Sequence, residues 1–386
     1  MNQIFATKNL LTTALFYLLI SSVVASEEDS KPFVTFDEPV ASYLKRIQLG
    51  EQKFKFNTSI DFYKWQQDAR DSLVKLIGLD QMRKELIGFK PKIIVSATIS
   101  INDNYTRQLC VIETEPGIKV PFYYLVPSKS KNVEQFPLFI APHGHDKFGL
   151  HSYSGCFKND NHRSEILARE GNIAEQAALR GFISIAPATR GLASELLVPD
   201  PKGRHGKRPC RAQLIHCLLS GRTPTAERVW DMQRILDWAT KQPKVDPKRI
   251  VMTGNSGGGV LTTYVAAIDD RITVAVPSCS FTSSTSPEGY IFHCDCCLIP
   301  GFRNWGGWKE LAGLIAPRRL LIVHGIKDGL HHRPSVETLV SEVNAIFKIA
   351  GVPSHVSIKW GDNGHRFYPH LMWPFIGHSI TKHKPR

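Results

Sequence analysis

Residues 249–263 constrain the fold of this chain more than any other stretch. Ile250, Val251 and Met252 make a short apolar run of strand character, and Val260, Leu261 and Val265 recur beyond it at helical spacing. Between them lies Gly254-Asn255-Ser256-Gly257-Gly258, a Gly-x-Ser-x-Gly pattern. Strand, tight turn and helix in that order make a nucleophile elbow, which holds a serine hydroxyl exposed on a strained turn. The glycines answer a steric demand, because side chains flanking Ser256 would collide with the strand and the helix. The helix start also leaves backbone N–H groups unpaired, which suits a developing oxyanion. An inert Gly/Ser turn would look the same in isolation, so the rest of the chain has to supply chemical partners for Ser256.

A serine nucleophile needs a base, an acid that orients the base, and an oxyanion hole. Around such an elbow the chain order is nucleophile, acid, histidine. The apolar run 320–323 leads into His324-Gly325-Ile326-Lys327-Asp328, and the last strand candidate leads into Gly361-Asp362-Asn363-Gly364-His365. Asp328 and His365 therefore each follow a strand directly, at the sheet edge where such enzymes gather their sites. Asp295 is the second candidate acid, and Asp362 reads as a turn residue. For the oxyanion hole, Gly257 follows the nucleophile, and His145 follows Gly144 in the turn His143-Gly144-His145-Asp146 after another strand.

The remaining pattern is consistent with that edge. Three alternating segments, 93–101, 105–113 and 119–126, are separated by turn signals and predict an antiparallel entry. Strand candidates at 138–142, 182–187, 250–253, 273–276, 320–323 and 356–360 then alternate with helices near 173–179, 225–240, 260–268 and 336–349, which predicts a mostly parallel sheet covered on both faces. An amphipathic helix is expected over 61–77, within an N-terminal extension (26–90) packed on a main catalytic domain (91–386). Long connections at 191–224 and 280–317 are expected to build the site.

At the start of the chain, Lys8, an apolar run and Val23-Val24-Ala25 predict a signal peptide over 1–25, hence a secreted or periplasmic protein with no stable membrane insertion after cleavage. The net charge of +13 over 386 residues comes with no nucleic-acid motif, so nucleic acid is not an expected partner. Eight cysteines in an exported chain are compatible with disulfides. The cluster His293-Cys294-Asp295-Cys296-Cys297 invites a zinc reading, but no second ligand pair has finger-like spacing. Buried thiols or disulfides are expected instead, with no metal and no cofactor.

Several stretches carry a family resemblance: His143-Gly144-His145, Ala178-Leu179-Arg180-Gly181-Phe182, Gly221-Arg222-Thr223, Glu227-Arg228-Val229-Trp230-Asp231, the Ser256 elbow, His293-Cys294-Asp295-Cys296, Ala316-Pro317-Arg318 and Gly364-His365-Arg366-Phe367. In these the chain resembles the α/β-hydrolase superfamily, and within it exported bacterial hydrolases of dienelactone-hydrolase-like and acetyl xylan esterase-like type. The resemblance implies the α/β-hydrolase fold and a Ser-Asp-His triad on Ser256, Asp328 and His365. Gly329 departs from the family, which often has proline after the acid.

The expected activity is hydrolysis of short acyl or methyl esters, with a small-molecule or polysaccharide ester as partner. Two features point toward carbohydrate. Phe281, Tyr290, Phe292, Phe302, Trp305 and Trp308 in the 280–317 connection offer rings for sugar stacking. Lys202, Arg204, Lys207, Arg208 and Arg211 offer charge to a uronate or sulfated chain. The aromatics would equally serve to pack the loop, and the basic run to face solvent. A serine peptidase of the same fold and a catalytically inactive glycan-binding relative are the alternatives.

Overall fold

The computed structural model describes residues 50–128, 134–204, 208–283 and 294–381, with Tyr43, Arg46 and Ile47 before them. The expected signal peptide, Lys207, Tyr290, Phe292 and His293 lie outside these residues. Two compact units divide at Gly50 and Glu51, and the description that follows concerns the second. No helix among the described residues is long and apolar enough to cross a membrane.

Strands β1 (Ile93–Val95), β2 (Ile99–Ile101), β3 (Tyr105–Glu115), β4 (Ile118–Pro127), β5 (Phe136–Ile140), β6 (Ile183–Pro187), β7 (Val245–Asn255), β8 (Val274–Ser278), β9 (Arg319–Gly325) and β10 (Val356–Gly361) form one sheet. Its order is β1-β3-β4-β6-β5-β7-β8-β9-β10, with β2 also paired to β3. The ladders from β1 to β4 are antiparallel, as is β4 on β6, and every ladder from β6 to β10 is parallel. Strands β5, β6, β8 and β9 are buried along their whole length, as parallel strands covered on both faces must be. This is the α/β-hydrolase fold. The segment 93–101 is two strands rather than one, because the four steps from Val95 to Ile99 oppose only three from Cys110 to Arg107, and the extra residue interrupts the ladder just after Ser96, whose N–H still donates to Leu109 O at 2.9 Å.

Helices α1 (Phe62–Leu76), α2 (Pro209–Leu219), α3 (Pro224–Ala239), α4 (Gly257–Ile268), α5 (Arg333–Ile349) and α6 (Pro369–Thr381) are the main covering elements. Thr223 caps α3, its Oγ1 accepting the Ala226 N–H at 3.1 Å ahead of Pro224 in the first turn. Asp61 caps α1 in the same way. Phe62, Trp65, Ala69 and Leu73 of α1 join the core that holds Trp305, Trp308 and Leu311, so residues after Glu51 are integral to the main packing unit. Helix α2 falls inside the 191–224 connection and α6 follows β10; neither has an apolar period clear enough to announce it, and α6 carries Pro374 within it.

Among the described residues, the four aromatics of the 280–317 connection pack inward and offer no sugar platform. Phe281, Phe302, Trp305 and Trp308 are between 1% and 9% exposed, stacking on one another and on Tyr264 of α4. Burying them against α1 and α4 removes more apolar surface from water than lining an open cavity would, and the packing reading prevails.

Candidate active site

Because β5, β7, β9 and β10 run in parallel, the residues that follow them emerge at one edge. Ser256 follows β7 with φ 58° and ψ −124°, a backbone conformation that costs a non-glycine residue of order 1–3 kcal/mol. Two anchors hold it there. The Ser256 N–H donates to Ser278 O of β8 at 2.9 Å, and Ser256 O accepts the N–H groups of Gly259 and Val260 at 2.9 and 3.0 Å, starting α4. No side chain fits at Gly144, where an added Cβ would lie 2.7 Å from Asn255 O and 2.9 Å from Gly257 N. The turn after β5 is thus pressed directly onto the elbow.

That turn is braced from inside. His143 is fully buried; its Nε2 accepts the Thr189 N–H at 3.0 Å, so the proton sits on Nδ1 and is donated to Gly144 O at 2.8 Å. Burial pushes its pKa down, in keeping with a neutral structural ring. Asp146 accepts the N–H groups of Phe148 and Gly149 and the Ser152 hydroxyl, each at 2.9 Å, and the Arg169 guanidinium at 2.6 Å. Among the described residues, the N–H groups of His145 and Gly257 donate to no protein acceptor, leaving both available to a ligand.

Asp328 and His365 meet: Nδ1 of His365 lies 2.8 Å from Oδ2 of Asp328. The Asp328 side chain is 1% exposed. Burial by itself would raise its pKa; the hydrogen bond and positive charge from His365, with His331 and the Leu330 N–H, outweigh burial and bring it down to about 2. Asp295, the other candidate acid, instead pairs with Arg211 and with Arg208 at 3.7 Å. Asp362 is exposed, and among the described residues it accepts only from Asn363.

Ser256 and His365 both line a cavity of about 450 Å³ with Gly144, His145, Tyr153 and Phe367. No hydrogen bond reaches Ser256 Oγ among the described residues. Three arginines share the wall, Arg208 and two that the sequence did not announce, Arg169 and Arg366; Arg169, Arg208 and Arg366 have carboxylate partners in Asp146, Asp295 and Glu170 respectively. Arg208 belongs to the basic run; Arg366 adjoins His365 and Arg169 lies far off in sequence. The described lysine and arginine before it, Lys202 and Arg204, are exposed. At the turn after β5, His145 with Cys210, Cys294 and Cys296 forms a tight group with the donor chemistry to hold a metal ion.

A family model for acetyl xylan esterase (AXE1) matches residues 181–286. The Bacillus subtilis (strain 168) protein "Putative hydrolase YtaP" is 24% identical over 310 residues, covering 77% of this chain and 93% of its own. A structure described as a "putative acetyl xylan esterase" of Bacteroides fragilis NCTC 9343 superposes with a TM-score of 0.66 at 16% identity, over 90% of this chain and 95% of that one. Methylesterase BT1017 superposes with a TM-score of 0.60 at 22% identity, over 89% of this chain and 66% of that one. The structural likenesses bear out the fold, and the family match supports a carboxylic ester hydrolase.

Proposed function

We propose that this chain is a serine ester hydrolase that removes short acyl or methyl groups from carbohydrate esters, with Ser256 as nucleophile, His365 as base and Asp328 as its orienting acid. The observation that carries the reading is the convergence on one cavity of a strained, half-buried serine and a histidine hydrogen-bonded to a buried carboxylate. In the first half-reaction, Ser256 Oγ attacks the ester carbonyl carbon while His365 Nε2 takes the hydroxyl proton. The N–H groups of Gly257 and His145 stabilise the oxyanion. His365 then protonates the departing alcohol. Water, deprotonated by His365, cleaves the acyl-enzyme and restores Ser256. Asp328 keeps the His365 proton on Nδ1 and stabilises the imidazolium between these transfers.

The cavity wall supports a polar substrate. Arg169, Arg208 and Arg366 present guanidinium donors suited to sugar hydroxyls or a uronate carboxylate, and the cavity suits a compact acyl or methyl group better than a long chain. A fluorophosphonate probe should label Ser256. Ser256→Ala should abolish labelling and lower ester turnover by about 10⁴-fold or more while leaving the unfolding midpoint intact. Comparing kcat/KM on acetylated oligosaccharides, uronate methyl esters, long-chain esters and peptide amides tests the substrate. Highest efficiency on the last two would overturn that assignment.

A further inference from the structure

Three distant segments bring four metal-binding side chains to one point behind the oxyanion turn. His145 comes from the loop after β5, Cys210 from the first turn of α2, and Cys294 and Cys296 from the single turn Asp295–Cys297 and the residue before it. Cys294 Sγ lies 3.5 Å from both Cys210 Sγ and Cys296 Sγ. His145 Nε2 lies 3.5 Å from Cys210 Sγ and 3.9 Å from Cys296 Sγ. All four donor atoms fall within 4.8 Å of one another. Tetrahedral zinc, with Zn–S of about 2.3 Å and Zn–N of about 2.0 Å, requires edges of roughly 3.8 Å between sulfurs and roughly 3.5 Å between sulfur and nitrogen.

Arg228 is only 2% exposed, and among the described residues no carboxylate lies within ion-pair distance of it. Its Nε donates to Arg190 O at 2.9 Å and its Nη2 to Gln213 Oε1 at 3.0 Å. Its Nη1 faces Cys296, 3.3 Å from O and 3.5 Å from Sγ. A buried cation without a counter-ion is costly. Three thiolates, one neutral imidazole and a divalent zinc carry a net charge of −1, and that charge would sit against the Arg228 guanidinium. Hydrogen bonds from outside the ligand set to a coordinating sulfur are a regular feature of zinc sites.

We propose that His145, Cys210, Cys294 and Cys296 bind one zinc ion as a closed Cys₃His site. On binding, the three thiols release their protons to solvent and the sulfur lone pairs, with that of His145 Nε2, go to Zn²⁺. Four protein ligands leave no open coordination position, so the ion is structural and takes no part in ester chemistry. Its consequence for catalysis rests on the proposed function. The side chain of His145 is pinned to α2 and to the 294–297 turn, while its own backbone N–H serves the oxyanion hole. The metal therefore positions that donor.

The full chain, purified without chelator or metal-affinity resin, should contain about one zinc per molecule by plasma mass spectrometry. Cys210→Ser and Cys294→Ser should each lower zinc content about tenfold or more, whereas Cys156→Ser, outside the cluster, should retain it. Should the ligand variants fail to fold, wild-type protein exchanged with Co²⁺ provides the second readout: intense d–d bands and thiolate-to-cobalt charge-transfer absorption mark a tetrahedral thiolate site. Metal-free wild-type protein with a Cys210–Cys294 or Cys294–Cys296 cross-linked peptide, or reduced protein that takes up neither metal, overturns the proposal. Metal content is read without reference to activity, so it stands or falls apart from the esterase reading. If chelator-stripped, folded protein keeps full kcat on esters, the positioning role is refuted.

Discussion

The substitution Gly258→Ala tests how tightly the turn after β5 and the elbow are fitted together. An added Cβ at Gly258 would lie 2.1 Å from Pro142 O and 3.1 Å from the carbonyl carbons of Pro142 and His143. Ordinary contact begins near 3.4 Å, so a gap of roughly 1.3 Å must open. Neither side can give cheaply. The neighbouring atom is backbone, and the next residue upstream, Ala141, is tied to β6 through its N–H to Ile185 O at 2.9 Å. Either α4 lifts away or residues 142–145 are pushed aside, and both movements separate Ser256 from the His145 N–H. Overpacking of this kind costs about 1–3 kcal/mol, and a displacement of about 1 Å at a reacting centre costs on the order of 10²-fold in rate. The control is one residue away. At Gly257 the nearest atoms to an added Cβ are Leu192 Cδ1 at 3.4 Å, Gly144 Cα at 3.5 Å and His145 Nδ1 at 3.7 Å, all ordinary contacts. Gly257→Ala should therefore keep the wild-type unfolding midpoint, or exceed it slightly through better helix propensity. Urea unfolding of both variants and kcat/KM on 4-nitrophenyl acetate decide the matter. Wild-type kcat/KM in Gly258→Ala, or equal losses of stability in the two variants, would refute the reasoning.

Asp328→Asn should lower kcat by about 10³–10⁴-fold, because the His365 tautomer and its imidazolium lose their partner. Its effect on stability should depend on pH. A carboxyl held down to about 2 contributes stability that is fully present above its unfolded value near ~3.9 and is lost as pH falls through about 2. The shift corresponds to about 2–3 kcal/mol. The gap in urea midpoint between wild type and variant should thus narrow from pH 5 down to about 2, and a constant gap would mean that Asp328 is not ionised in the fold. Arg190→Met should destabilise the protein by about 3–5 kcal/mol, since Arg190 pairs with buried Glu115 and Asp231, which would be left without its charge. Equilibrium unfolding measures this directly, and a loss below about 1 kcal/mol would place the cluster among weak surface pairs.

What the sequence alone determined is local. The elbow at Ser256 is legible because strand, turn and helix each have a signature a few residues long, and the glycines mark where backbone must touch backbone. The parallel sheet is legible because fully buried strands read as continuous apolar runs, and that in turn places Asp328 and His365 at one edge. Tertiary structure decided what depends on which loops meet. Asp295 and Asp328 are equivalent as letters, yet the loop after β9 brings Asp328 within 2.8 Å of His365, while Asp295 is held by Arg208 and Arg211. Phe281, Phe302, Trp305 and Trp308 read the same as letters whether they face a sugar or the core, and only the packing of α1 and α4 puts them inside. The cysteine cluster shows the limit most clearly. Spacing rules recognise ligands that share a loop, as Cys294 and Cys296 do, but His145 and Cys210 stand 151 and 84 residues away from their partners. Only folding brings such distant side chains to one point, because the sheet edge gathers every loop that follows a parallel strand.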